Sequence, residues 1–584
     1  MTVGVKSARA LAAAVIACAS LAACVQLPES SPVQAGRNVG VQNAPAPFTI
    51  VPEGPRPGAS PREVVSGYFE AMMANPPTAT VAREYLTPAG SASWNPEANL
   101  VVYEDQTVAG HDPAVAVKLR VLGSLDARGV WKSVNSQSAS LNQQLKLRRV
   151  AGEWRITNPP QGTFVDTDYF RRNYGNYSLY FFDPAHTVLA PDPVYILKGD
   201  ATATALVKDL LRGPTQDMTG VVRTAVSSST TLDVAVTVTG SGVAEVPVSD
   251  DVLQLSSADR QLFAAQLAWT LRQLSDIGRI EVTVNGAGLF VPGVGSTFGV
   301  DEFSGYDPAG LSSSRQLFAM SNGHLIEVSN RSTTAIAGPI GSTKTTGRSA
   351  AVNAAGSSAA LVSRSGAQVF VGGVLSGSQE GVATWFTRGH DLLKPSWDSH
   401  NVLWLVDRTA HGAVVHAVTK GHDLLVSAPG ITGENVTAFA VSHDGVRFAA
   451  VTGVGPSSNL VVGVIDRDPA HAGRVSISRV REITNLDYPL NNLVGVTWDS
   501  PTSVVVLAQN QGSDLEPYEV MIDGSDVHPP TGFLPVRPTS VAAGPNADVP
   551  LVIGASDGSL YVRTPEQQWA PLDAGKLFAP TYPG

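Results

Sequence analysis

Apolar and polar positions along this chain change their period several times, and each change announces a new element. From Ala10 to Ala23 every residue is apolar or small, with Lys6 and Arg9 ahead of the run. The run falls short of the roughly 20 residues that a membrane-crossing helix needs and ends in small side chains, which predicts a cleaved export signal. Between residues 24 and 60 large apolar side chains are scarce and prolines stand at 28, 32, 45, 47, 52, 55 and 57, the composition of an extended, semi-rigid tether. Ser60-Pro61-Arg62-Glu63 then reads as an N-cap, a first-turn proline and a capping-box glutamate. Val64, Val65, Tyr68, Phe69, Met72 and Met73 recur at helical spacing until Asn75-Pro76-Pro77 stops the run, and the two methionines read as core filler.

From Leu100 to Thr157 the period falls to two. "LVVYEDQTVAG", "AVAVKLRVLGSL" and "QQLKLRRVAGEWRI" alternate apolar with polar, with Ala151-Gly152-Glu153 as a hairpin tip and Arg148 and Arg149 as solvated strand residues. An α/β pattern follows. Two apolar runs in "SLYFFDPAHTVLAPDPVYIL" are split at Asp183-Pro184, and "ATALVKDLLRGP" is a helix ended by Gly213-Pro214. "TLDVAVTVTG" is predicted as a strand with Leu232, Val234, Val236 and Val238 on one face, and "VAEVPVSDD" as an edge strand on account of Pro247. "ADRQLFAAQLAWTLRQLSDI" carries a broad apolar stripe through Leu262, Phe263, Leu267, Trp269, Leu271 and Leu274, with Trp269 read as core, before "RIEVTVNG" returns as a strand.

The remainder of the chain repeats. Asn353, Trp397, Ser442, Trp498 and Ala543 align at spacings of 44, 45, 56 and 45 residues, each tied to a short strand, a turn such as His443-Asp444-Gly445 and a more apolar strand. "GHLIEVSN", "GAQVFVGG" and "GSLYVRT" are read as third strands of their units. A sheet of that size buries its faces only by stacking on neighbours around an axis, so a β-propeller of about six blades is predicted. The chain is therefore multidomain: signal peptide 1–23, tether 24–60, an α+β domain 61–170, an α/β domain 171–292 and an all-β propeller 293–584.

Composition supports several cores, with 43% of 584 residues hydrophobic and 15% charged. Of the two cysteines, Cys18 leaves with the signal and Cys24 stands at its end, so no disulfide pair remains and the folded part rests on burial alone. Loss of Lys6 and Arg9 takes the formal net charge from -10 to -12, which argues against nucleic acid as a partner and against electrostatic adhesion to anionic lipid.

Catalytic and metal motifs are weak. Gly554-Ala555-Ser556-Asp557-Gly558 fits a nucleophile elbow but lies between two strands with an Asp-Gly pair, so it reads as a hairpin turn. Gly293, Gly295 and Gly299 miss the dinucleotide spacing and read as a linker into the propeller. His400, His411, His416, His422 and His443 crowd one stretch without metal-ligand spacing, and Asp250-Asp251 and Asp166/Asp168 read as caps and turns. The reading assigns no catalytic residue, no cofactor and no metal.

Leu21-Ala22-Ala23-Cys24 resembles the bacterial lipobox, in which the signal is cut between Ala23 and Cys24 and the Cys24 thiol is acylated; the competing reading is an ordinary Ala-x-Ala cut that leaves a free thiol. "RRVAGEWRITNPP" after a leading helix is similar to the closing strands of the NTF2-like cone. "LLRGP", "QLAWTLRQL" and "IEVTVNG" in that order closely resemble the GerMN domain, which implies a non-catalytic binding or assembly module. Over nearly the whole chain, with "EWRITNPPQG", "LYFFDPAHTVLAPDPVYI" and "SWDSHNVLWLVDR", the sequence resembles the LpqB family of actinobacterial lipoproteins. It departs from that pattern in having alanine before Cys24 and irregular first and fourth blade intervals.

The resemblance implies a lipid-anchored protein on the outer, extracytoplasmic face of the cell membrane that is not an enzyme. It implies binding to the extracytoplasmic domain of a two-component sensor histidine kinase of MtrB type, tuning signals for envelope homeostasis and division, and leaves room for a cell-wall ligand. The alternative is a hydrolase or carbohydrate-binding protein built on the propeller. As a hydrolase it predicts titratable groups with perturbed pKa converging at the channel mouth.

Overall fold

In the computed structural model the described residues are 51–584 apart from 76, 112, 136–137, 311–314, 330–331, 343, 468–473 and 546–548. Cys24, the Ala23 cleavage position and most of the tether lie outside them. The first helix, Pro61–Ala71, starts where the capping box predicts: the Glu63 N–H donates to the Ser60 hydroxyl, and the Ser60 N–H donates to the Glu63 carboxylate at 2.8 Å. Its apolar face, Val64, Val65, Tyr68 and Phe69, packs on a six-stranded sheet. That sheet runs in the order 153–156, 140–150, 114–125, 100–111, 163–166, with 131–133 beside 114–125. Register slips between Val102 and Tyr103 and between Tyr103 and Asp105 mark where the strand bends into a cone. Met72 is core, and Arg149 is exposed and stacks at 5.0 Å on Trp154. Order begins before Ser60, because the Tyr85 hydroxyl donates to the Glu53 carbonyl (2.8 Å) and the Gly58 N–H to the Glu153 carboxylate (2.9 Å). The end of the predicted tether is therefore pinned to the domain.

The second domain opens with an antiparallel hairpin, Tyr174–Phe182 with Leu189–Leu197, followed by a helix, Thr202–Leu211. Strands Val243–Pro247 and Arg279–Val284 pair in parallel and are joined by the helix Ser257–Leu271, as a parallel crossover requires. Three expectations fail here. The alternation in "TLDVAVTVTG" does not make one continuous strand: Thr237–Val238 pair with Ala244 and Glu245 and Leu232 bridges Val248, but between them Val234 is 67% exposed and the Val236 N–H is captured by the Thr204 hydroxyl. The strand ending in Pro247 is interior, not an edge; Pro247 is its last residue, and its carbonyl accepts from the Asp233 N–H (3.1 Å) of the neighbouring segment. The segment from Gly293 is no linker and the boundary at 292/293 moves, because Thr297–Gly299 pairs with Arg279–Glu281, Phe298 and Phe303 enter the core, and the Trp269 indole N–H donates to the Phe303 carbonyl (3.0 Å).

Among the described residues the propeller shows six four-stranded blades. In the first, the strands 317–321, 324–328 and 333–335 are completed by Phe578–Thr581 from the far end of the chain, which pairs with 317–321 and closes the ring. His324–Val328, Val369–Gly373 and Leu560–Arg563 are third from the axis in their blades. The repeat alignment is off by one at its tryptophans. Asn353, Asp398 and Ser442 hold the shared place just after the inner strand and accept turn N–H groups, whereas Trp397 and Trp498 lie one residue earlier. Each of these indoles donates to a carbonyl in the inner strand of the preceding blade, Trp397 to Ala351 (3.3 Å) and Trp498 to Ala440 (3.1 Å).

Candidate functional site: the joint of the three domains

The axial channel is the place where the hydrolase reading predicts converging titratable groups. Two basic side chains meet there, Lys394 and His443, in a pocket of about 50 Å³ with Ser396, Thr497 and Tyr582. Desolvation lowers the Lys394 ammonium to about 8 and the His443 imidazole to about 4. The lysine donates to the Pro580 carbonyl (3.0 Å), and the His443 ring lies against the backbone of Gly584. The described lining residues include no Asp or Glu side chain. The Lys394 bond and the His443 contact tie the last residues of the chain to the channel wall.

A denser set of chemistry-bearing residues sits where the domains meet. Val446 and Val464 of the propeller are part of the apolar core of the α/β domain, so the two share one buried cluster. Into that contact runs Arg447, with its side chain 6% exposed, donating to the Pro191 carbonyl at 2.6 Å and facing the buried Asp444 at 3.9 Å; Asp192, also buried, lines the same 40 Å³ cavity. Burial pushes both carboxylates up and the guanidinium down, with their mutual attraction opposing it. Beside them, Arg479 donates to the carbonyls of Asp217 (2.9 Å) and Thr219 (2.8 Å), and Arg481 reaches the Asp217 carboxylate at 3.0 Å.

The first domain joins the same contact. Arg128 donates to the carbonyls of Asp209, Gly213 and Pro214, satisfying the open C-terminus of the helix Thr202–Leu211. The Ser133 hydroxyl donates to the Asp523 carbonyl (3.0 Å), and Arg120 to that of Leu486 (3.3 Å). Leu486 belongs to the loop of residues 483–489, which lies within the irregular 56-residue interval of the repeat and leans on the first domain.

One latch of the joint is pH-sensitive in a calculable direction. Asp183, fully buried at the hairpin tip, accepts from the N–H groups of Ala185 (2.9 Å), Thr187 (2.6 Å) and Val188 (2.9 Å), and faces His400 Nε2 of the propeller at 2.9 Å. Burial raises its pKa, but the His400 contact and the three N–H donors outweigh it and hold the carboxyl at about 2. A carboxyl depressed in the folded state stabilises above its unfolded pKa and loses that contribution as pH falls through the folded value, so the window is about pH 4 to about pH 2. Asp183→Asn is expected to lower stability at pH 7 by about 2 kcal/mol and to flatten the acid limb of a stability-against-pH curve measured by urea unfolding.

The remaining residues singled out in the sequence are dispersed. Ser556 is exposed in the turn joining Val552–Ala555 to Leu560–Arg563, and Asp557 accepts from the Ser559 N–H. His416 bonds to Asp423 and His390 to Asp407 on separate parts of blade 3. Asp166 caps the helix Thr167–Asn173, and Asp251 accepts from Ser229 and Ser249. Among the described residues, no three His, Cys, Asp or Glu side chains come together as a metal site. The joint itself was missed in the sequence reading. Its local signals are Arg447, a charge that opens the mostly apolar strand Arg447–Thr452, and the 56-residue repeat interval that holds the 483–489 loop.

Three family profiles match the chain: "Lipoprotein LpqB, N-terminal domain" at residues 54–171, "Sporulation and spore germination" at 178–289 and "Lipoprotein LpqB beta-propeller domain" at 323–583. Similar curated proteins include Lipoprotein LpqB of Cutibacterium acnes (27% identical, 90% of each chain covered) and of Streptomyces avermitilis (28% identical, covering 97% of this chain and 96% of that one). Lipoprotein LpqB of Mycobacterium tuberculosis is 27% identical, covering 90% of this chain and 91% of that one. Among solved structures, the first GerMN domain of the sporulation protein GerM from Bacillus subtilis is 22% identical, covering 21% of this chain and 92% of that one with a TM-score of 0.18.

Proposed function

The chain belongs to the LpqB family of lipoproteins, and we propose that it is a lipid-anchored accessory protein, acylated at Cys24, that binds the extracytoplasmic domain of a sensor histidine kinase from the outer face of the membrane. The observation that supports this reading is the joint: Arg447, Arg128 and the 483–489 loop weld three domains into one body. A welded platform presents the loops of six blades in fixed positions, which suits recognition of a membrane-protein surface and limits the entropy lost on binding. No helix among the described residues is long and apolar enough to cross a membrane, and the proposed anchor at Cys24 supplies the attachment.

Crosslinking the protein in its native membrane, followed by identification of the attached peptides, tests the proposal. The expected result is recovery of the outer domain of a sensor kinase, and its loss together with release of the protein into the soluble fraction when Cys24 is replaced by serine. Recovery of wall-polymer fragments alone overturns the kinase partner, and unchanged membrane retention of the Cys24→Ser variant overturns the anchor.

A further inference from the structure

Two cavities flank the hairpin of the α/β domain, and they meet at its tyrosines. One, about 370 Å³, opens at the mouth of the first domain's cone; the other, about 310 Å³, lies between that domain and the propeller; Tyr174 and Tyr195 line both. The second cavity draws its walls from all three domains. Trp131 and Phe170 come from the first, the two tyrosines and Asn176 from the second, and Asn485, Asp487 and Asp526 from the propeller. The aromatic rings support one another, with Phe170 stacked on Tyr174 at 5.3 Å and packed against Tyr195 at 5.1 Å and Trp131 at 5.5 Å.

The polar side of this cavity is incompletely used. Asp487 Oδ1 is buried with no hydrogen-bond partner, although Oδ2 meets Arg171 at 3.4 Å, and buried carboxylate oxygens are ordinarily satisfied. Asn176 is exposed and makes only a long 3.4 Å contact, to the Tyr195 hydroxyl. We propose that this interdomain cleft binds a neutral oligosaccharide, with sugar C–H faces on the aromatic wall and paired hydroxyls on Asp487 and Asn176. Aromatic surface beside a few fixed carboxylate and amide groups is the pattern of a small-molecule site whose ligand has both apolar faces and hydroxyl donors. Hydroxyl groups donate where Asp487 can only accept, and Asn176 supplies both a donor and an acceptor. The two acids against one arginine disfavour an anionic ligand. The inference rests on the cleft and not on the kinase-binding proposal.

The full-length lipoprotein in detergent, titrated with chitotetraose, cellotetraose and mannotetraose, tests it by calorimetry and by the change in tryptophan fluorescence that a Trp131→Phe variant lacks. At least one tetrasaccharide is expected to bind saturably, with Asn176→Ala weakening it by roughly threefold to tenfold, the worth of one hydrogen bond, and Asp487→Ala weakening it further. Asn176 is exposed, so its variant is expected to unfold at the wild-type temperature, which separates lost binding from lost structure. No saturable binding of any of the three at millimolar concentration, or equal binding by wild type and both variants, overturns the site. Tighter binding of tetralysine than of every saccharide overturns the ligand class.

Discussion

Replacing Arg447 by methionine is expected to destabilise the docked chain by about 3–5 kcal/mol, the cost of removing one partner from a buried charge group. Methionine fills much of the same volume, so the loss comes from charge and not from a cavity. Without the guanidinium, Asp444 and Asp192 keep their desolvation and lose the attraction that opposes it. Both are already raised above the ordinary carboxyl value, and in the variant they rise further. A carboxyl raised in the folded state contributes stability that is fully present below its unfolded pKa and is lost as pH rises through its folded pKa. The deficit of Arg447→Met should therefore shrink as pH falls from 7 towards 4, before the Asp183 latch begins to fail below about 4. Calorimetry at several pH values reads both effects. A second, lower-temperature transition in the variant marks separation of the propeller from the α/β domain, and a deficit that grows on acidification contradicts the assignment.

The parts of this structure that were legible in the sequence are those whose cause is local. Ser60 and Glu63 cap a helix wherever that spacing meets an apolar run, and the helix Ser257–Leu271 is so densely apolar that it had to be buried. The repeat was visible because each blade must supply an apolar middle strand, as 403–409, 447–452 and 503–510 do. The "TLDVAVTVTG" alternation misled because period two shows that one face could be buried, not that the ladder runs unbroken; between the Leu232 bridge and the Thr237–Val238 pair, the Thr204 hydroxyl takes the Val236 N–H instead. The joint was not legible. Asp183 and His400 stand 217 residues apart and Arg447 and Pro191 256 apart, so local sequence cannot name either partner. Two irregularities did mark it: an arginine among apolar strand residues, and a repeat interval of 56 holding the loop that leans on the first domain.

Removing residues 578–584 is expected to abolish cooperative unfolding of the propeller. Phe578–Thr581 is the strand that joins the last blade to the first, pairing Thr581 with Phe318 and Phe578 with Met320. Without it the strand 317–321 becomes an open edge, a template for aggregation. The cluster of Leu317, Ala319, Val552, Leu577 and Tyr582, which spans the seam between blades 1 and 6, loses its cover. Burying a large side chain such as Tyr582 is worth several kcal/mol, so Tyr582→Ala alone is expected to cost about 3 kcal/mol. Tyr582→Phe, which keeps the ring and loses the 2.9 Å bond to the Pro550 carbonyl, should cost about 1 kcal/mol. The graded series separates packing from closure, because the two point variants leave the 578–581 ladder in place and the truncation does not. Since the closing pair joins segments some 260 residues apart, ring closure carries a large loop entropy and should be the slow step of refolding. The truncated chain should then show protease cleavage throughout residues 317–577 under conditions where the intact ring resists, and a truncated propeller that melts at the wild-type temperature would refute closure by this strand.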